Sequence, residues 1–230
     1  MRARGMRATW DALASADTGV VVGDPARGEE ELAALFGRLG ADPRGGVCLE
    51  VGCGPGRMTG ALAERFDRVV AVDVAPAMLA RAREAVTARN VDFREVPGDR
   101  LDGIADESVD VAVCYLVLQH LPSRRVVASY LRELGRVLRR GGTAYVQLPV
   151  LDGGVRPRLW RALRSLLVPV GERLGGGPLR AAAFRGFRLT RRELGAALAA
   201  ARLRVAASDE GQDAPYRHSR DLFLRLERPR

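Results

Sequence analysis

The pattern that most constrains the fold is a short apolar run that meets a glycine-dense turn and is followed by a helical segment. Val47–Val51 is the apolar run, glycines stand at positions 52, 54 and 56, and residues 58–66 carry the helical pattern. A strand, a tight turn and a helix in this order form the first part of a βαβ unit. The strands of such units lie parallel and need a long crossover between them.

Strands and helices alternate along the rest of the chain. Further strands are predicted at residues 68–73, 91–96, 108–115 and 143–148, and further helices at residues 75–88 and 123–138. The Arg-Arg-Gly-Gly run 139–142 is typical of a helix stop, and the capping box Thr190–Glu193 opens a last helix before strands at 203–208 and 219–226. This order predicts an α/β fold with a doubly wound, mostly parallel seven-stranded sheet and helices on both faces.

A single domain over residues 1–230 is predicted, because this length lies at the upper end of what one α/β core occupies. We divide it into a helical N-terminal segment (1–44), a core (45–150), a helical insertion after the fifth strand (150–189), and a closing helix with two strands (190–230).

All 37 basic residues are arginine, because the sequence contains no lysine. This excludes chemistry that depends on a P-loop lysine, a kinase lysine or a Schiff base to pyridoxal phosphate. The 3 cysteines form no Cys-x-x-Cys pair and only 2 histidines are present, so neither a metal nor structural disulfides are expected. No apolar run approaches the roughly 18 residues of a membrane span, and we expect a cytoplasmic protein.

The net charge of +9 lies entirely in the last third of the chain, where residues 151–230 carry 17 Arg against 8 acidic residues. Such an excess is compatible with a nucleic-acid partner. The absence of lysine and the low aromatic content of 5% speak against one. We therefore give a nucleic-acid partner little weight.

The glycine turn lacks the complete fingerprint of a dinucleotide site. The pattern G-x-G-x-x-G requires a third glycine at position 57 or 59, where the chain has Arg57 and Thr59. Glu50–Gly56 instead resembles the acidic-x-Gly-x-Gly-x-Gly motif of class I S-adenosylmethionine (SAM)-dependent methyltransferases. The segments 98–100, Gly-Asp-Arg, and 118–122, Leu-Gln-His-Leu-Pro, also resemble that family. The resemblance covers residues 45–150. It is greatest to the branch of the family that contains methyltransferases of quinone and natural-product biosynthesis.

The resemblance implies SAM as the cofactor. Asp73, 21 residues after Gly52, would accept hydrogen bonds from the ribose hydroxyls, Met78 would lie beside the adenine, and Asp99 would contact the adenine amino group. The complete set of implied cofactor-binding residues is Glu50, Gly52, Cys53, Gly54, Gly56, Asp73, Val74, Met78, Asp99, Arg100, Tyr115 and Gln119.

His120 is the candidate catalytic residue. A neutral imidazole is suited to removing a proton from the acceptor, and the alternative is a histidine that only shapes the cofactor pocket. Methyl transfer depends mainly on the alignment of donor and acceptor, so the absence of an obvious base excludes nothing. Residues 10–16 predict a short helix with Thr9 as its cap, where Trp10 either covers the cofactor or packs in the core.

The insertion contains a predicted basic amphipathic helix between Pro157 and Pro169. Its basic face consists of Arg158, Arg161 and Arg164, and its apolar face of Leu159, Trp160, Leu163, Leu166 and Leu167. Four roles remain open for this helix: a roof over the acceptor site, a contact for an anionic or apolar substrate, a peripheral membrane contact, or packing on the core.

These features predict a methyltransferase that acts on a small-molecule acceptor, with O- or C-methylation favoured, and releases S-adenosylhomocysteine. Acceptor specificity would come from the N-terminal segment and the insertion. The alternatives are a non-catalytic SAM-binding partner subunit and an RNA methyltransferase. The sequence does not indicate an oligomeric state.

Overall fold

A computed structural model describes residues 3–15, 27–151, 186–211 and 219–230, together with the single positions 155, 159, 162 and 163. Within these residues the chain forms a seven-stranded sheet with helices packed against it. The strands are β1 Val47–Val51, β2 Arg68–Asp73, β3 Val91–Glu95, β4 Val109–Cys114, β5 Leu138–Leu151, β6 Arg204–Glu210 and β7 Ser219–Glu227.

The strand order is β3-β2-β1-β4-β5-β7-β6. The first five strands of this order pair in parallel, and β7 lies antiparallel between β5 and β6. The mostly parallel, doubly wound sheet that the sequence predicted is therefore confirmed. Because the chain winds outward to β3 on one side of β1 and continues with β4 on the other, β1 and β4 border the switch point where such sheets bind ligands.

The described helices are α1 Ala3–Ser15, α2 Gly28–Arg38, α3 Thr59–Arg65, α4 Pro76–Ala85, α5 Arg124–Val137 and α6 Arg191–Ala200, with a short 3-10 helix at Leu118–His120. Apolar residues of α2 and α3, such as Phe36 and Leu62, share a buried cluster with Tyr145 of β5. On the opposite face, Leu131 of α5 and Leu198 of α6 join a second cluster. The sheet is thus covered on both faces, as its apolar strands require.

Several predicted boundaries differ from the structure. Helix α1 begins at Ala3, so Thr9 lies inside the helix and the predicted cap is wrong. The Arg-Arg-Gly-Gly run 139–142 is part of β5 and does not end a helix outside the sheet. The amide of Gly141 donates to Arg228, whose own amide donates back to Gly142, and this pairing extends the strand. Helix α4 ends at Ala85 because the next residue is extended.

The two ends of the insertion meet beside the last residues of β5. The Leu151 amide donates to the Leu189 carbonyl at 2.9 Å, and Val150 forms a β-bridge with Leu189. The predicted amphipathic helix lies outside the described residues except for Leu159, Ala162 and Leu163, and the two leucines are 68% and 54% exposed. Among the residues that the structure describes, no helix has the length and apolar character needed to span a membrane.

Candidate cofactor-binding cleft

A cleft of about 900 Å³, a volume that includes space open to solvent, lies where β1, β2 and β4 end at the carboxyl edge of the sheet. The cleft brings together nine of the predicted site residues, namely Gly52, Cys53, Gly54, Asp73, Val74, Met78, Tyr115, Gln119 and His120. They come from the ends of three neighbouring strands, which explains how residues far apart in the sequence meet.

The glycine loop forms the floor of the cleft with its backbone. Gly52 and Gly54 have φ angles of 73° and 54°, in the left-handed region that side chains disfavour. A Cβ atom on Gly52 would lie 2.4 Å from the side chain of Val117, so this position has no space for one. The amides of Gly52 and Cys53 donate to the Val72 carbonyl at 2.7 and 3.0 Å, which ties the loop to β2. A ligand in the cleft can therefore lie directly against the backbone.

Asp73 ends β2 and is only 8% exposed. One carboxylate oxygen accepts the amide of Gly54 at 2.9 Å, and the other accepts the amide of Ala75 at 2.9 Å. Burial raises the pKa of Asp73, and these backbone donors act in the opposite direction. The carboxylate thus holds the glycine loop and the start of α4 in position. Because each carboxylate oxygen has a second lone-pair direction, it can also accept a hydrogen bond from a ligand.

The wall next to Asp73 is apolar. Val74 and Met78 come from the start of α4, Val96 follows β3, and Trp10 reaches the cleft from α1. Met78 is 1% exposed and packs with Ala75 and Ala14. A flat aromatic ring would find apolar contacts here without a large polar group to desolvate.

The opposite side of the cleft, next to β4, carries a cation. Arg57 lies in the cleft wall and forms a salt bridge through Nη1 to Glu31 of α2. Its guanidinium also lies over the ring of Tyr115, 5.9 Å from the centroid. Both partners of the salt bridge are largely shielded, with side chains that are 13% and 17% exposed. The cleft therefore has a carboxylate on its β2 side and a guanidinium on its β4 side.

Glu50 lies beneath the glycine loop and is 5% exposed. Its carboxylate accepts a hydrogen bond of 2.6 Å from the Thr59 hydroxyl. Burial raises the pKa of Glu50 to about 7, although the Thr59 hydroxyl and the charge of Arg57 lower it. A small cavity adjoins Glu50, Gly52 and Arg57. Glu50 is not among the described residues that line the main cleft, so any contact with a ligand there would be indirect.

Three other predicted residues, Gly56, Asp99 and Arg100, are also absent from the described lining of the cleft. Gly56 has a φ angle of 89°, and a Cβ atom there would lie 2.9 Å from Val86, so this glycine allows the loop to pack on α4. Asp99 is partly buried after β3, and Arg100 is exposed in a salt bridge of 2.9 Å with Asp102. Their proposed contacts with a cofactor remain predictions.

Gln119 and His120 lie in the 3-10 helix that follows β4. Gln119 Nε2 is 3.1 Å from His120 Nε2, and it also donates to the Leu116 carbonyl at 3.4 Å. The ring of Trp10 packs edge-on against His120 with centroids 5.1 Å apart. These contacts hold the imidazole at the cleft and join the turn after β4 to α1.

Helix α1 is attached to α4 by polar contacts beside the cleft. The Asp11 carboxylate accepts the Ala77 amide at 3.1 Å, in the first turn of α4, where the N-cap residue supplies no side-chain acceptor. Arg81 of α4 in return donates to the Ala14 carbonyl at 3.0 Å, and Arg7 forms a salt bridge of 2.7 Å with Glu95. These contacts fix Trp10 in the cleft wall.

Replacing Asp11 by alanine is expected to lower the free energy of unfolding by about 1 kcal/mol, the usual cost of losing a helix cap. Urea denaturation of both proteins measures this difference. Glu84→Ala is the matched control, because it removes an exposed carboxylate from α4, the helix whose first turn Asp11 contacts. It is expected to have little effect. Equal losses in the two variants would exclude a capping role for Asp11.

Sequence reasoning missed Arg57 and Glu31. In the sequence, Arg57 serves only to exclude a dinucleotide fingerprint, because it stands where the third glycine would be. Its position directly after the third glycine was a usable signal, because that residue leaves a loop that contacts ligands. Glu31 gave no such signal, since 26 residues separate it from Arg57 and only the packing of α2 brings them together.

The chain is similar to known methyltransferases. A family profile described as a methyltransferase domain matches residues 49–146. A ubiquinone biosynthesis O-methyltransferase of Pseudomonas paraeruginosa is 30% identical over 104 residues, which are 44% of this chain and 44% of that protein. The match thus spans less than half the length of this curated relative.

Two solved structures show the same fold. One is the putative methyltransferase in a complex with the Haloferax volcanii Trm112 methyltransferase activator, with a TM-score of 0.67, 18% identity and coverage of 96% of this chain and 98% of that one. The other is a geranyl diphosphate methyltransferase in complex with GPP and sinefungin, with a TM-score of 0.62, 16% identity and coverage of 86% and 77%.

The described residues of the cleft fit SAM in three respects. The backbone of Gly52 leaves no space for a Cβ, the Asp73 carboxylate lies beside an apolar wall, and Arg57 places a positive charge at the other side. An adenosyl ligand with a ribose diol and a carboxylate in its amino-acid part matches these features. The family profile and the seven-stranded sheet agree with this fit. Residues 49–146 of the chain match the methyltransferase domain family, and the chain has the fold of solved SAM-dependent methyltransferases.

Proposed function

We propose that this protein binds SAM in the cleft and transfers its methyl group to a small molecule. The observation that carries this proposal is the position of Asp73, a shielded carboxylate at the end of β2 between the glycine loop and an apolar slot. A ribose diol is the ligand group that such a carboxylate recognises. The adenine would lie against Val74 and Met78 on the same side.

SAM, when bound, supplies a methyl group attached to a sulfonium. The sulfur is a good leaving group, because it departs as the neutral thioether of S-adenosylhomocysteine. The residues of this chain bind and orient the two reactants, and alignment of this kind accounts for a large part of the rate in bimolecular reactions. Gly52 and Gly54 allow close approach to the backbone, and Trp10 with α1 shields the adenosyl side from water. His120 is the candidate base, and its contact with Trp10 also supports a role in shaping the cleft.

A small-molecule acceptor is supported by two features. The curated relatives that match the core are ubiquinone biosynthesis O-methyltransferases, which favours an O-methylated acceptor. A second cavity lies on the far side of Tyr115, where Leu35 and Phe223 form an apolar surface next to Arg38. Tyr115 lines both cavities, so the second cavity adjoins the cleft, and an acceptor bound there would have to reach past the Tyr115 ring to contact the methyl group.

Calorimetric titration of the purified, ligand-free protein with SAM, S-adenosylhomocysteine and NAD tests the proposal. Micromolar binding of the two adenosyl ligands without NAD binding is the expected result. A methyl-transfer assay with radiolabelled SAM and a panel of phenols, catechols and carboxylic acids then identifies the acceptor class. A folded protein that binds none of the adenosyl ligands would contradict the proposed function. Binding of SAM without turnover of any acceptor would favour the non-catalytic alternative.

A further inference from the structure

We propose that Arg57 binds the carboxylate of the methionyl part of SAM and thereby selects adenosyl ligands that carry this carboxylate. The inference rests on the proposed function, because it assigns a role within the same cleft. It concerns a residue that has no role in the glycine motif itself. Its basis is the distribution of charge across the cleft.

Among the described residues that line the cleft, Asp73 and Arg57 carry the charges, and they lie on opposite sides of β1. Asp73 ends β2, which pairs with one side of β1, and Tyr115 follows β4, which pairs with the other. Arg57 stacks on Tyr115 and therefore belongs to the β4 side. A SAM molecule whose ribose diol meets Asp73 would extend its amino-acid part across β1. The carboxylate of that part would then approach the guanidinium of Arg57.

Arg57 is held in place for this role and retains donors for it. Glu31 contacts Nη1, and Tyr115 supports the flat face of the group. A guanidinium has five N–H donors, so one carboxylate partner leaves several for a second anion. The Arg57 side chain is only 13% exposed, which weakens competition from water. Charge-assisted hydrogen bonds in such a setting are stronger than those between neutral groups.

Selectivity follows from this arrangement. The adenine and ribose contacts on the β2 side are the same for every adenosyl ligand, whereas the contact with Arg57 requires the carboxylate. Decarboxylated S-adenosylhomocysteine keeps the adenosyl group, the thioether and the amine, and it lacks only this group. It is expected to bind the wild-type protein about tenfold or more weakly than S-adenosylhomocysteine.

The test is a cycle of two proteins and two ligands, measured by calorimetry. In Arg57→Gln, the affinity for S-adenosylhomocysteine is expected to fall about tenfold or more, while the affinity for the decarboxylated ligand stays within about twofold. Arg68→Gln is the matched control, because Arg68 is also paired with a carboxylate, at 3.1 Å from Asp92, and lies at the other end of β2. It is expected to change neither affinity.

Equal losses for both ligands in Arg57→Gln would overturn the inference, because Arg57 would then act on the cleft as a whole. Unchanged affinities would overturn it as well. If Arg57→Gln does not fold, Arg57→Lys keeps the charge without the forked geometry and is expected to lower only the affinity for S-adenosylhomocysteine. If the wild-type protein binds both ligands equally, the inference about Arg57 is refuted and the proposed function is not. A wild-type protein that binds neither refutes the proposed function too.

Discussion

Replacing Asp73 by alanine is expected to weaken the binding of SAM and S-adenosylhomocysteine by roughly 1.5 to 3 kcal/mol, which is a loss of about 10- to 150-fold in affinity. The substitution removes the proposed acceptor for the ribose hydroxyls. It also removes the acceptor of the Gly54 and Ala75 amides, so the glycine loop loses a contact that fixes it. Calorimetric titration gives the affinities, and urea denaturation shows how much stability is lost.

Two variants separate these effects. Asp73→Asn keeps one carbonyl oxygen for a backbone amide, so it should fold better than the alanine variant and still bind SAM more weakly than the wild type. Asp92→Ala removes a carboxylate from the neighbouring strand β3, where its partners are Arg68 and Arg94, and is expected to leave binding unchanged. A folded Asp73→Ala protein with wild-type affinity would remove Asp73 from the site.

Replacing Glu50 by glutamine is expected to stabilise the protein at neutral and alkaline pH. Burial raises the pKa of Glu50 from 4.5 to about 7. The folded state therefore holds this proton more tightly than the unfolded state, and the wild-type free energy of unfolding falls as pH rises between these two values. The full difference amounts to about 3 kcal/mol above pH 7. Glutamine keeps an acceptor for the Thr59 hydroxyl and has no charge to bury.

Urea denaturation at a series of pH values between about 4 and 8 measures this effect as the difference between the two proteins. The difference should be small at the acidic end and grow toward neutrality. Glu133→Gln is the control of opposite sign, because Arg136 lowers the pKa of Glu133, so the wild type gains stability from this group as pH rises. Parallel pH profiles for wild type and Glu50→Gln would contradict the prediction, because they would show that the pKa of Glu50 is the same in the folded and unfolded states.

Local sequence patterns predicted the elements that hold the cleft. The strand Arg68–Asp73 has the predicted bounds, because the charged residues at both ends of its apolar run mark where the strand begins and ends. The caps at Ser123 and Thr190 are also confirmed, since each signal lies within four residues of sequence. The start of β5 could not be predicted. Its residues 139–142 favour a turn by themselves, and only pairing with Arg228 makes them a strand.

The candidate site was predictable to the extent that its residues follow strands. Gly52, Asp73 and Tyr115 each come directly after or at the end of an apolar run, and parallel strands bring their ends to one edge. Contacts between segments that are far apart in the sequence could not be predicted from the local patterns. Asp11 and Ala77 are 66 residues apart, and nothing in either segment indicates that one caps the helix of the other. The same holds for Glu31 and Arg57.

The hydrogen bond between Leu151 and Leu189 has a consequence for protein engineering. It holds residues 151 and 189 side by side, so the two ends of the segment between them lie close together. Exchanging a segment between such neighbouring anchors costs little, because loop-closure entropy grows only slowly with length. We therefore expect that segments of different length and composition can be grafted between Leu151 and Gly186 with β5 and α6 unaltered, provided that Phe187, whose amide donates to Leu121, and the buried Arg188 are kept. Variants with exchanged segments would test whether acceptor preference depends on this part of the chain.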